Sequence, residues 1–246
     1  MTEWAALFKK DFRLTRTVFF IGLVINFLVL LLTLYVDMNT GDNLFLFIPL
    51  LVAVVLHIFY LPVILFISLR TEADQLHLWL HDPRSASTLL LSKVLNGIAM
   101  MFVSLVILYL MAGSLIISRF SLIEAYWTDT LKAGLLIFPH IFLISIMISA
   151  FVILLWSIHH ALKYRIGRWT WLALLGAVII PSWVGALIDS SKPYKLLTQW
   201  LSMETNFPTF AIDPIPLYAG EYLYHFMVVV GLFYLSAWIM DRKVEV

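Results

Sequence analysis

Apolar runs of about 19 to 25 residues alternate with short polar stretches along most of this chain, and each run is long enough to cross a roughly 30 Å hydrocarbon core as a helix. They fall at about 18–36, 45–69, 94–117, 135–158, 169–188 and 222–240. Six transmembrane helices in one domain are therefore expected, making this an all-α polytopic membrane protein. The first run carries no charge, and no small-x-small site precedes the polar turn at 37–42, so it reads as a retained span and not as a cleaved signal. Pro49 and Pro62 predict kinks in the second run, and Pro181 a break in the fifth. Ala173 with Ala177, and Ser145 with Ser149, are small residues four apart that let helices approach. Before the first span, residues 2–17 are amphipathic, with Trp4, Leu7, Phe8 and Phe12 near one face. Two readings fit, a helix lying in the membrane interface or a tail carrying topogenic charge.

Two segments depart from the pattern. Residues 189–221 form a long loop before the last span, rich in proline (Pro193, Pro208, Pro214, Pro216) yet also apolar (Trp200, Phe207, Phe210). Such a loop is expected to pack back onto the spans or dip into the outer membrane surface. The other is the segment 70–93. Leu76, Trp79 and Leu80 recur at helical spacing, so the second span can continue through them. Pro83 should end that helix. Ser85 or Ser87 can then cap a second helix running into the leucines at 89–91. A helix-break-helix elbow results. Trp79 suits either a docking surface or an anchor at headgroup level.

Composition fixes the setting. The chain is 62% apolar and 13% charged, which no soluble domain of this length matches. Sixteen Lys and Arg nearly balance fifteen Asp and Glu, so nothing points to nucleic acid as a partner. Position says more than the sum. With the amino terminus inside, twelve of the sixteen cations lie on internal segments; only Arg119, Lys132, Lys192 and Lys195 lie outside. That bias places both termini in the cytoplasm of a multi-pass protein of the cell membrane, in contact with its lipids.

Candidate chemistry is sparse. With no cysteine, disulfides and thiolate chemistry are excluded. There is no H-E-x-x-H, no G-x-S-x-G and no carboxylate pair within a span, so an intramembrane hydrolase lacks its acid and base. His159 and His160 are adjacent on a helix and diverge, which argues against a metal site. His57 suits contact with a substrate or a helix-packing hydrogen bond. The six spans hold no Asp, Glu, Lys or Arg, only His57, His140 and His225, which weighs against a self-sufficient ion-coupled carrier. The phosphate loop G-x-x-x-x-G-K-[ST] is absent too.

The elbow resembles a family pattern. An acidic residue past the second span (Glu72), an apolar patch (78–80), then Pro83-x-Ser85 and a leucine run ending in Ser92-Lys93 is similar to the cytoplasmic coupling segment of ABC transporter permeases of the type-two exporter group. Ala73 and Asp74 stand where that family has a short glycine-bearing step. The six-span layout extends the resemblance over nearly the whole chain. It implies a permease subunit without an ATPase site, exporting a hydrophobic or amphipathic substrate. ATP and magnesium would bind a separate cytoplasmic subunit, and a second permease chain, identical or related, would complete the pathway. It also favours the interfacial helix at the amino terminus and short re-entrant helices before the last span. Within the elbow, Leu76, Trp79 and Leu80 would form the apolar contact with the ATPase, Glu72 and Arg84 polar contacts beside it, and Pro83 and Ser85 its bend and cap.

Overall fold

The structure is a computed structural model that describes residues 3–40, 47–73, 82–210 and 212–244. It is an all-α polytopic membrane protein with one small hairpin. Among the described residues, five helical stretches are long and apolar enough to cross a membrane: Trp4–Asn39, Ile48–Ala73, Ala86–Ser118, Glu124–Asp189 and Ala219–Lys243. The fourth holds 66 residues, about 100 Å of helix at 1.5 Å per residue, over three times the hydrocarbon thickness. It is divided at Gly167, whose φ of +54° is a left-handed conformation that only glycine adopts without strain. The expected fourth and fifth spans lie on either side of that glycine.

The chain forms two compact units, residues 1–75 with 89–149, and residues 76–88 with 150–246. In the first unit, α1 (Glu3–Thr40) is a single helix. The boundary expected near Thr17 is absent. Leu7, Asp11, Thr15, Asn26 and Thr33 are all buried, and their spacings of four, four, eleven and seven residues keep them on one face. One packing stripe thus runs through both the amphipathic start and the apolar span, so the helix has no reason to bend between them.

The second expected span is interrupted by a tighter turn. Pro49 lies in the first turn of α2 (Ile48–Leu56), a 3-10 turn covers His57–Phe59, and α3 is Tyr60–Ala73. Pro62 cannot donate to the carbonyl four residues earlier, which suits the tighter turn just before it. Around these pack α4 (Ala86–Ser118), the short α5 (Phe120–Ile123) and the first part of α6 (Trp127–Ile166). The core of the unit is carried by α3 and α4, with Leu61, Leu65, Leu90, Met101, Leu105 and Leu108 all but inaccessible. Aromatic contacts of Phe102 and Tyr109 with Phe138 dock α6 on α4.

The second unit holds the end of α6, then α7 (Thr170–Asp189), α8 (Lys192–Thr198), strands β1 (Ser202–Phe207) and β2 (Ile212–Tyr218), and α9 (Ala219–Lys243). Pro181 sits inside α7 without ending it, in contrast to the expected break; a helix flanked by lipid keeps its remaining bonds because no water competes for them. Of the 20 residues of α7 only Thr170 is buried. The loop at 189–221 also differs from the expected re-entrant helices. Its described residues hold the short helix α8, a 3-10 turn at Pro208–Phe210 and an antiparallel hairpin, since Met203, Thr205 and Phe207 alternate with Ser202, Glu204 and Asn206, and Pro214 and Pro216 within β2 exclude helix. Glycine at 220 is required by a close approach, because a Cβ there would overlap the Thr198 carbonyl.

Candidate functional site

Two charges that flank the elbow in sequence meet in the first unit. Glu72, in the last turn of α3, lies 2.8 Å from the ammonium of Lys93 on α4. Lys93 is 2% exposed. Its Nζ donates to Asp11 Oδ1 at 2.9 Å and to Ser68 Oγ at 3.2 Å, while its contact with Glu72 Oε2 is an ion pair without a hydrogen bond. Asp11, 1% exposed, accepts from Ser92 Oγ at 2.6 Å through its other oxygen. Lys10 donates to Glu72 Oε1 at 2.8 Å from a partly exposed position. Two carboxylates and two ammonium groups on α1, α3 and α4 thus make a network of no net charge, the condition under which buried ions are tolerated.

α1 and α4 run parallel. Asp11 meets Lys93, Thr15 accepts from Asn96 Nδ2, Asn26 donates to Ser104, and Arg119 pairs with Asp37. From Asp11 to Asp37, as from Lys93 to Arg119, is 26 residues, or about 39 Å of helix. The two ionic clamps are therefore spaced farther apart along the helices than the thickness of the roughly 30 Å hydrocarbon core. Between them, Ser104 Oγ accepts from Asn26 Nδ2 at 3.0 Å and lies 3.2 Å from His57 Nε2. His57 Nδ1 is 2.8 Å from the Ala53 carbonyl, which can only accept, so Nδ1 carries the proton and Nε2 accepts from Ser104. With its ring stacked on Tyr60, His57 has both nitrogens engaged in packing.

The part of the elbow at residues 82–88 belongs to the second unit. Asp82, Pro83 and Arg84 form a bend, and the Arg84 guanidinium is held by both oxygens of Asp82. Ser85 stands at the N-cap of α4, where its hydroxyl meets those of Ser87 and Thr88 at 2.9 Å. The first amide of that helix, at Ala86, donates to Asp241 Oδ1 at 2.9 Å. The last span thus supplies an anion to the start of α4, where the helix dipole favours one.

The expected contact residues divide accordingly. Leu76, Trp79 and Leu80 lie outside the described residues. Glu72 is committed to Lys10 and Lys93, and Arg84 to Asp82. Asp11, Ser68 and Lys10 join the site without having been singled out in the sequence; the available signal was Asp11, a lone acid among the cations at positions 9–16. His159 and His160 stack edge to face against each other, and among the described residues no group of three His, Asp or Glu gathers closely enough to hold a metal ion.

No protein-family model matches this chain, and no solved structure does. The chain is similar to a protein of Bacillus subtilis (strain 168) described as "Uncharacterized protein YhcE", with 25% identity over 258 aligned positions that span the whole of both chains.

Proposed function

We propose that this chain is the permease subunit of an ATP-driven transporter of the ABC type-two exporter group, set in the cell membrane with both termini cytoplasmic. A separate cytoplasmic subunit binds ATP and magnesium, and a second permease chain, identical or related, completes the pathway for a hydrophobic or amphipathic substrate. The observation that carries the reading is the contact of Glu72 with Lys93 at 2.8 Å. It closes the elbow at its base. A segment that passes work from one protein to another must be held firmly where it leaves the membrane, since a loose stem absorbs displacement without transmitting it. Three helices are tied together there by buried ion pairs. The uncovered length of α7 is the kind of surface a second chain would occupy.

An ion-coupled carrier gains one observation in its favour, because Asp11 and Lys93 are buried ionisable groups. Their place outside the expected spans counts the other way. Asp11 precedes the first span by seven residues, about 10 Å of helix, and so lies off any path through the membrane centre. Transport is expected to require ATP hydrolysis by a co-purifying subunit and to persist when the proton gradient is collapsed at constant ATP. Transport that stops with the gradient and ignores ATP would establish the carrier instead.

A further inference from the structure

The two edges of the outer hairpin are chemically different. Ser202 pairs with Tyr218, Met203 with Leu217, Glu204 with Pro216 and Thr205 with Ile215. Pro216 has no amide hydrogen, so it cannot exchange ladder bonds with Glu204. The bonded pairs are then Met203 with Leu217 and Thr205 with Ile215, because bonded and non-bonded pairs alternate in an antiparallel ladder. It follows that the amides and carbonyls of Ser202 and Glu204 face away from β2, along a free edge. On the opposite edge Pro214 and Pro216 turn nitrogens without hydrogens outward, and a strand so marked cannot template another. One edge is open and one is closed.

One face of the hairpin also exposes apolar side chains. Met203 is 73% exposed and Ile215 38%, on a two-stranded sheet that would be marginal in water by itself. We propose that the free edge of β1 pairs, antiparallel and about a two-fold axis, with β1 of a second copy of this chain. Two hairpins then form one four-stranded sheet. This rests on the pairing of permease chains put forward above and requires the pair to be identical.

Register follows from the same groups. In the regular part of the ladder, before the irregularity at Thr205–Phe207, Ser202 and Glu204 present the bonding groups on this edge. Setting Glu204 against its own counterpart would oppose two carboxylates. Centring the axis on Met203 instead bonds Ser202 to Glu204 of the second copy and leaves the two Met203 side chains side by side. The irregularity between Thr205 and Phe207 ends the pairing on the other side. Since the outer strands of the combined sheet are the proline-marked β2 strands, growth stops at two chains. A fibre, the usual hazard of an open edge, is thereby excluded.

The absence of cysteine makes the test clean. In the proposed register Met203 forms a non-bonded pair with its counterpart, Cα to Cα about 4.5 Å, inside the disulfide range of about 4.4–6.8 Å. Met203→Cys in native membranes should give a disulfide-linked dimer of twice the chain mass under mild oxidation. Ile212→Cys, exposed on the closed strand, should not. Adding Glu204→Pro to Met203→Cys should abolish the dimer, because it removes an edge donor while sparing the bonded pairs within the hairpin. Two differently tagged copies, co-purified, report on chain pairing independently of the hairpin. Co-purification without a Met203→Cys dimer above the Ile212→Cys level overturns the β1 pairing and leaves the permease pair standing. A dimer that survives Glu204→Pro, or a cross-linked product of another mass, overturns the edge or the identity of its occupant. Failure of the tagged copies to co-purify overturns the homodimer and with it the inference.

Discussion

Replacing Lys93 by methionine removes the cation at the centre of the base network while keeping nearly the same volume. Asp11 is then left 1% exposed with Ser92 as its remaining side-chain partner, whereas Glu72 keeps Lys10. Removing one member of a buried ion pair costs about 3–5 kcal/mol, because the other charge stays buried without compensation. For a chain of this size each kcal/mol moves the melting temperature by roughly 2–4 °C, so Lys93→Met should lower it by roughly 6–20 °C. Lys10→Ala breaks a contact whose cation is 46% exposed, and such pairs contribute about 0.2–1 kcal/mol. The decisive comparison is with the double variant Lys93→Met/Asp11→Asn, in which no unpaired carboxylate faces the gap at position 11. It should melt above Lys93→Met alone, with a coupling of about 1 kcal/mol or more. The assay is thermal unfolding of the detergent-solubilised variants under one set of conditions. A melting temperature for Lys93→Met that matches Lys10→Ala, or strictly additive losses in the double variant, would refute the claim that the network is buried and mutually compensating.

Three further outcomes are expected. Ser190→Cys, at the exposed end of α7, should react with an impermeant thiol reagent added outside intact cells; labelling only after the cells are opened would reverse the orientation. Asp241→Ala should expose the first amide of α4, raising hydrogen exchange at Ala86 by roughly two- to thirtyfold, the equivalent of a lost cap of about 0.5–2 kcal/mol; unchanged exchange at Ala86 would show that Asp241 does not hold it. Trp79→Ala should leave the chain folded yet weaken its binding to the proposed ATPase subunit by at least roughly tenfold, about 1.4 kcal/mol; unchanged affinity together with lowered yield would make Trp79 a headgroup anchor.

Much of the architecture could be read from hydrophobic runs, because a segment facing lipid must satisfy its backbone internally and so must be helix wherever it crosses. What composition could not show is where helices continue past the hydrocarbon. α1 carries its packing stripe from Leu7 to Thr33 with no change of period, and the switch from mixed to apolar residues at Val18 reflects the solvent around the helix. The ion-paired base was hidden for a different reason. Asp11 and Lys93 are 82 residues apart, and nothing local to either announces the other. A serine cap for α4, at Ser85 or Ser87, was legible, since a cap depends only on its own first turn, and the structure puts it at Ser85. The hairpin was partly so: the alternation at Met203, Thr205 and Phe207 has period two, but four prolines in the loop pointed to irregular backbone.

The parallel clamps on α1 and α4 also make the protein a ruler. Two helices pinned to each other at Asp11–Lys93 and again at Asp37–Arg119 cannot tilt independently, so the pair meets a bilayer of unsuitable thickness by deforming the lipid or leaning as one body. Each ångström of mismatch carries a small cost, a fraction of a kcal/mol, which either the surrounding lipid or the elbow stem must absorb. Acyl-chain length then becomes a control on the molecule. Short-chain lipid should leave the charged ends beyond the headgroups and long-chain lipid should draw them toward the hydrocarbon, so the proposed transport should peak at a thickness near the spacing of these two ion pairs.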